Sequence, residues 1–160
     1  MSIVRLSYFK LIVVLILTFM LSIIPLPSML SLIRPLWVML FMLFIQVTIP
    51  SRFRVGGLLL VGLTLDTLCF SVMGEHAAAL ILTAWLASHW VRRFNFFSMP
   101  QQIIMISGLS FVYQSILYIF DWVFGYHANP LPYLMPILST MLLWPWFKLF
   151  VHRLFLSSPL

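Results

Sequence analysis

Few residues in this chain could do chemistry. Its carboxylates are Asp66, Glu75 and Asp121, its imidazoles His76, His89, His127 and His152, and its one thiol Cys69. Acid–base, nucleophilic and metal chemistry all need two or more such groups held together, and the three acids lie far apart along the chain. No His-Glu-x-x-His, no paired-carboxylate motif for Mg²⁺ and no Gly-x-Ser-x-Gly elbow occurs. Glu75 and His76 are adjacent on a predicted outer turn and could hold a metal with a third ligand, but a solvated turn is the simpler account. His89 and His152 fall near the ends of apolar runs, where a helix-terminal or interfacial role suffices. Cys69 has no internal disulfide partner and belongs to no metal or redox pattern. No catalytic residue, metal ligand set or cofactor is assigned, and the expectation is a protein that is not an enzyme.

Asp66 stands apart, because it lies inside the apolar run GLLLVGLTLDTLCFSVMG. In a helix it would sit roughly 16 Å along the axis from Val55, deep in a bilayer. A charge there costs several kcal/mol unless it is paired, protonated or hydrated. One reading is a proton or ligand site. The preferred one is an interhelical bond, for example to Tyr113 or Gln114, and an asparagine at this position should then be nearly neutral, since such bonds average about 0.6 kcal/mol. Arg34, Glu75 and Asp121 are the remaining charges on the same predicted side, and Arg34 could pair with Asp121 or Glu75, an exposed contact worth little. Together with Trp37 they are the candidates for partner or ligand contact.

The elements that must carry these residues follow from composition. The chain has 160 residues, 63% hydrophobic and 8% charged, with a mean hydropathy of +1.12. Ordinary soluble domains are about 25% charged, so a water-soluble domain, a disordered chain and a nucleic-acid binder are all excluded. Six apolar runs stand out, at about 7–29, 35–49, 55–73, 76–91, 101–124 and 131–151. None alternates as a barrel strand would, which leaves an all-α polytopic membrane protein, one compact domain over residues 1–160 with six transmembrane helices. The first run is read as an uncleaved helix, since no Ala-x-Ala-like site follows it. Proline marks the boundaries, and Pro136 and Pro145 are expected to kink the last helix.

Orientation comes from the cations. With the N-terminus in the cytoplasm, Arg5, Lys10, Arg52, Arg54, Arg92, Arg93, Lys148 and Arg153 fall inside and only Arg34 outside. That asymmetry puts both termini in the cytoplasm and requires an even number of spans. Trp37 and Trp122 are expected at the outer interface, and Trp90, Trp144 and Trp146 at the inner one. Gly62, one turn before Asp66, and Ala79, Thr83 and Ala87 at four-residue spacing are expected to let the third and fourth helices approach closely. No internal repeat supports an inverted-repeat transporter.

Several of these segments carry a resemblance when taken in order. IRPLWVML, SRFRVG, GLTLDTL, MGEHAAAL, Arg93-Phe94-Asn95-Phe96-Phe97 with Gln101-Gln102, and LLWPWFKLFVHRL together resemble the rod shape-determining protein MreD family over about residues 33–153. The family pattern falls on Arg34, Pro35, Trp37, Gly62, Asp66, Gly74, Trp144 and Pro145, while Glu75 has no place in it. The resemblance implies a bacterial inner-membrane, multi-pass subunit of the elongation machinery, working with MreC, MreB and the RodA glycosyltransferase with its transpeptidase, surrounded by membrane lipid and without nucleic acid. It implies no enzymatic activity. The family also resembles the substrate-binding subunits of energy-coupling-factor transporters, which makes a small-molecule binding or transport subunit with an outward-facing cavity the alternative.

Overall fold

Continuous apolar runs of this kind satisfy their backbone hydrogen bonds within each segment, and every regular element among the described residues is a helix. The structure, a computed structural model, describes residues 8–24, 27, 33–48, 55–94, 96–125 and 129–156. The helices are α1 (Tyr8–Ile23), α2 (Trp37–Thr48), α3 (Val55–Cys69), α4 (Glu75–Ser88), the single turn α5 (Val91–Phe94), α6 (Met99–Val123) and α7 (Leu131–Leu156).

Local chemistry sets the ends. α3 stops at Cys69, four residues short of the expected 73, because the chain turns back there to start α4. Gly74 takes the left-handed φ of +95° at the head of α4, a conformation in which a side chain would be strained. The expected fourth run to residue 91 instead ends at Ser88. The amides of His89 and Trp90 turn to the carbonyls of Leu86 and Ala87, tightening the last turn before α5 begins. α6 starts two residues earlier than expected, since Pro100 falls in the first turn, where no amide donor is needed. The Ser98 amide donates to Gln101 Oε1 at 3.0 Å across that start. α7 continues through Pro136 and Pro145 as one element, and the Pro136 carbonyl accepts the hydroxyls of Ser139 and Thr140.

α2 is the centre of the bundle. It touches α1, α4, α5 and α7, and Val38, Met39, Leu40, Phe41, Leu43 and Phe44 are all buried. α3 packs along α4, and α6 lies against both α4 and α7. Ala79, Thr83 and Ala87 are buried on α4, and a Cβ placed on Gly62 of α3 would lie 2.2 Å from the Cα of Ala77. Two bonds pin α2 to its neighbours: Gln46 Nε2 donates to the Ala84 carbonyl at 2.7 Å, and the Leu36 amide donates to Thr140 Oγ1 at 3.0 Å.

Polarity across the bundle is the reverse of a soluble protein. Asp66, Glu75, Gln46, Gln102, Gln114 and five serine and threonine residues are buried, while Ile12, Leu60, Phe111, Leu142 and Trp146 are exposed, the last two at 71%. Among the described residues one helix, Met99–Val123, is long and apolar enough to cross a membrane by length and composition, and Leu11–Ile23, Trp37–Val47 and Val55–Cys69 are shorter apolar helices. Trp144 does not face outward as a residue of an aromatic belt would. It is 1% exposed, edge-on to Phe94 with ring centroids 5.6 Å apart, because the register of α7 turns it inward and leaves Trp146 outside.

Candidate functional site

The densest polar cluster forms where α3 turns into α4. Asp66 lies in the last turn of α3, only 1% exposed, and its carboxylate reaches forward over the turn. Oδ2 accepts the Gly74 amide at 2.8 Å, and Oδ1 accepts the His76 amide at 2.8 Å. These amides belong to the cap and first turn of α4, so the carboxylate seals a helix start whose partial positive charge favours an anion. Ser71 Oγ donates to Oδ1 at 3.3 Å, and His76 Nδ1 lies 3.0 Å from the same oxygen.

This geometry replaces the expected partners. Asp66 does not bond Tyr113 or Gln114; it is spent within its own hairpin, one helical turn from the end of α3 rather than deep in a span. The near-neutrality expected of Asp66→Asn is revised with it. Both carboxylate oxygens face backbone donors, and an asparagine keeps only one of these acceptors, so whichever oxygen its NH₂ replaces, donor is set against donor.

Aspartate, histidine and serine meet here, as in hydrolytic triads, but not in a triad's arrangement. Ser71 Oγ lies 3.2 Å from His76 Nδ1, the same nitrogen that faces Asp66. A general-base relay needs the nucleophile and the carboxylate on opposite ring nitrogens, so this cluster positions a turn and activates no hydroxyl. Among the described residues no group of three or more His, Cys, Asp and Glu side chains could hold a metal, and Glu75 with His76 gains no third ligand there. Glu75 itself is buried at the first position of α4.

The other charges at this end also serve helix termini. Arg34 does not pair with Glu75 or Asp121. Its two terminal nitrogens donate to the carbonyls of Ser22 and Ile24, which close α1, where a cation complements the helix dipole. Asp121, near the end of α6, accepts the hydroxyl of Tyr133 from the start of α7. A cavity of about 230 Å³ opens among all six long helices at this end. Arg34, Pro35 and Trp37 are in its wall with His76, Tyr113 and Gln114, whereas Asp66, Glu75 and Asp121 are not.

Gln102, at the opposite end, enters the reading of the sequence only within the Gln101-Gln102 pair of the resemblance and is not among the candidate site residues. Its Nε2 donates to the carbonyls of Phe97 at 2.9 Å and Phe94 at 3.3 Å, and its Oε1 accepts Lys148 Nζ at 2.9 Å. Trp144 Nε1 lies 3.5 Å from the same oxygen. One buried amide thus ties α5, α6 and α7 together. The one signal in the sequence was the Ser98-x-x-Gln101 helix start just before it, which fixes where α6 begins but not which way Gln102 points. His89 is exposed and packs edge-on against Trp85, with centroids 5.0 Å apart, and the side chain of His152 lies outside the described residues.

A helical bundle with its polar groups turned inward and its apolar side chains outward, whose charged residues close helix ends, belongs to the class of membrane-associated proteins. The chain belongs to the rod shape-determining protein MreD family, whose model matches residues 2–154. A curated relative, the rod shape-determining protein MreD of Haemophilus influenzae, is 22% identical over 151 residues, covering 93% of this chain and 92% of the relative. No solved structure matches. The family is one of cell-shape proteins, and association with the cell-shape machinery follows from membership.

Proposed function

We propose that the chain is a non-enzymatic scaffold of the bacterial inner membrane, spanning it six times with both termini in the cytoplasm. It binds MreC directly and works beside MreB and the RodA glycosyltransferase with its transpeptidase in lateral-wall peptidoglycan synthesis. The polarity of the bundle carries this reading: many of its polar side chains are buried, large apolar side chains are exposed, and what it offers outward is largely apolar surface. Between apolar helices in lipid, association comes from shape and packing rather than from hydrophobicity, which suits a scaffold that presents helix faces to single-span partners. α2, with 12 residues, is about 18 Å long against a hydrocarbon core of about 30 Å, so its span is completed by flanking chain and local thinning. The alternative of a solute-binding or transport subunit relied on Asp66 with Arg34, Glu75 and Asp121 lining an outer cavity; Arg34 is in the wall of the cavity at that end, and the three carboxylates are not.

Extraction in mild detergent should co-purify the chain with an MreC-like protein. Repeated failure to do so, with both proteins present in the membrane, removes the scaffold reading. Topology is tested separately by single-cysteine labelling on intact cells, in a Cys69→Ser background because Cys69 is exposed at the proposed outer end. Cysteines introduced at positions 28–33 and 127–129 should react with an impermeant reagent, and those at 52–54, 92–95 and the two termini should not; position 75, on the expected outer turn, is buried and does not report on topology. External labelling of Arg93→Cys would overturn the orientation.

A further inference from the structure

The cavity among the six long helices has a wall whose polar groups are unevenly matched. Arg34 is half-buried, yet among the described residues no carboxylate lies within ion-pair distance of it. Its terminal nitrogens rest on neutral carbonyls, and its Nε is buried without a partner among the described residues. A cation partly withdrawn from water without a counter-charge is costly, and a buried polar atom without a partner calls for an explanation. The remaining polar wall points the same way. Among the described residues Tyr113 and Gln114 make no side-chain hydrogen bond, although both are buried and both face this cavity. His76 meets Asp66 through Nδ1, which leaves Nε2 to face elsewhere, and the ring also lines the cavity. The wall therefore has a guanidinium, an imidazole, a phenol and an amide, with no carboxylate among its residues.

We propose that this cavity is a binding site for a small anionic group, a phosphate or a carboxylate, held by Arg34 with Gln114 and Tyr113. This goes beyond the scaffold role and does not depend on MreC binding. A volume of about 230 Å³ suits a headgroup or a short acid rather than a large metabolite. Beside it, Gln114 also lines an apolar groove of about 310 Å³ between α6 and α7, bounded by Phe111, Tyr118 and Tyr133. One residue thus borders both a polar chamber and an apolar groove, so a lipid headgroup in the chamber would have a place for its chain. A free solute uses the chamber alone.

The test uses the delipidated full chain in a neutral detergent, with phosphatidylglycerol as the lipid probe, read by native mass spectrometry, and inorganic phosphate and succinate as solute probes, read by calorimetry. At least one probe should bind saturably and be weakened about tenfold or more by Arg34→Gln, which removes a charge-assisted contact. Gln114→Met, which keeps the shape of the wall and leaves the end of α1 untouched, should weaken the same probe severalfold, and it reports on the site even where Arg34→Gln fails to fold. Phosphatidylglycerol binding alone identifies a lipid headgroup, and phosphate or succinate binding a free anion; either supports the site. Absence of saturable binding by all three probes, or binding unchanged in Gln114→Met and in a folded Arg34→Gln, overturns it. Loss of MreC co-purification with anion binding intact removes the scaffold and leaves this site standing.

Discussion

Asp66→Leu should cost about 3 to 5 kcal/mol of stability, the scale of removing one partner from a buried charged network. The carboxylate is 1% exposed and serves the amides of Gly74 and His76, the Ser71 hydroxyl and the His76 ring at once. Leucine fills the space but strands these groups away from water, each at a cost of about 1 to 3 kcal/mol where no substitute partner is found. Asp66→Asn should fall between, at about 1.5 to 3 kcal/mol, because one of two backbone donors then meets an NH₂ instead of an acceptor. His76→Ala should be milder than Asp66→Leu, since it removes the ring and keeps the backbone amide on Oδ1. Thermal unfolding of the purified chain in lipid nanodiscs, with membrane abundance measured beside it, ranks the three. An Asp66→Asn protein as stable as the parent would show that the turn does not need both oxygens. One that keeps its stability and its MreC binding but loses rod shape would show that the charge itself has a function.

Gly62→Leu should abolish the close approach of α3 and α4, and Gly62→Ala should already destabilise by about 3 kcal/mol, the upper end of ordinary overpacking. The reason is where the new atom lands: 2.2 Å from Ala77 Cα and 2.6 Å from its nitrogen. These are backbone atoms of a helix, so no rotamer change makes room and the two helices must separate. Ala77→Gly should therefore not rescue Gly62→Ala, because only the Cβ contact, at 2.7 Å, is relieved. Gly108→Ala is the control. A Cβ there meets nothing within 4 Å, and the change should be neutral or stabilising by up to about 1 kcal/mol through helix propensity. Equal unfolding temperatures for Gly62→Ala and Gly108→Ala would contradict the packing described for α3 and α4.

The site was legible in its residue types and much less so in its pairings. Asp66, Arg34 and Asp121 stand out in the sequence because a charge among apolar residues has to be compensated, and each finds hydrogen-bond partners, Arg34 only neutral carbonyls. Their partners could not be read. Asp66 turns to amides eight and ten residues ahead, Arg34 to carbonyls twelve and ten residues behind, and Asp121 to a hydroxyl twelve residues ahead. All three bridge the ends of successive helices, whereas a search for oppositely charged side chains would have joined Arg34 to Asp121 or Glu75. Backbone groups at helix ends are donors and acceptors everywhere in a sequence, so spacing gives them no mark.

The all-helical class, the approximate extent of each helix and the membership of a cell-shape family could all be read along the chain, because they depend on runs of apolar residues, on prolines and on the order of short segments. These are local properties, set by whether a stretch can satisfy its own backbone and shed water. Which way each helix is turned became fixed only in the assembled bundle. Rotation about the axis put Trp144 into the core and left Trp146 outside, aimed Gln102 at Lys148, and brought Arg34, His76, Tyr113 and Gln114 from separate parts of the chain to one cavity. In helices apolar on nearly every face, hydrophobicity cannot choose the rotation. Shape and the need to satisfy each buried polar group choose it, and both arise only when the helices meet.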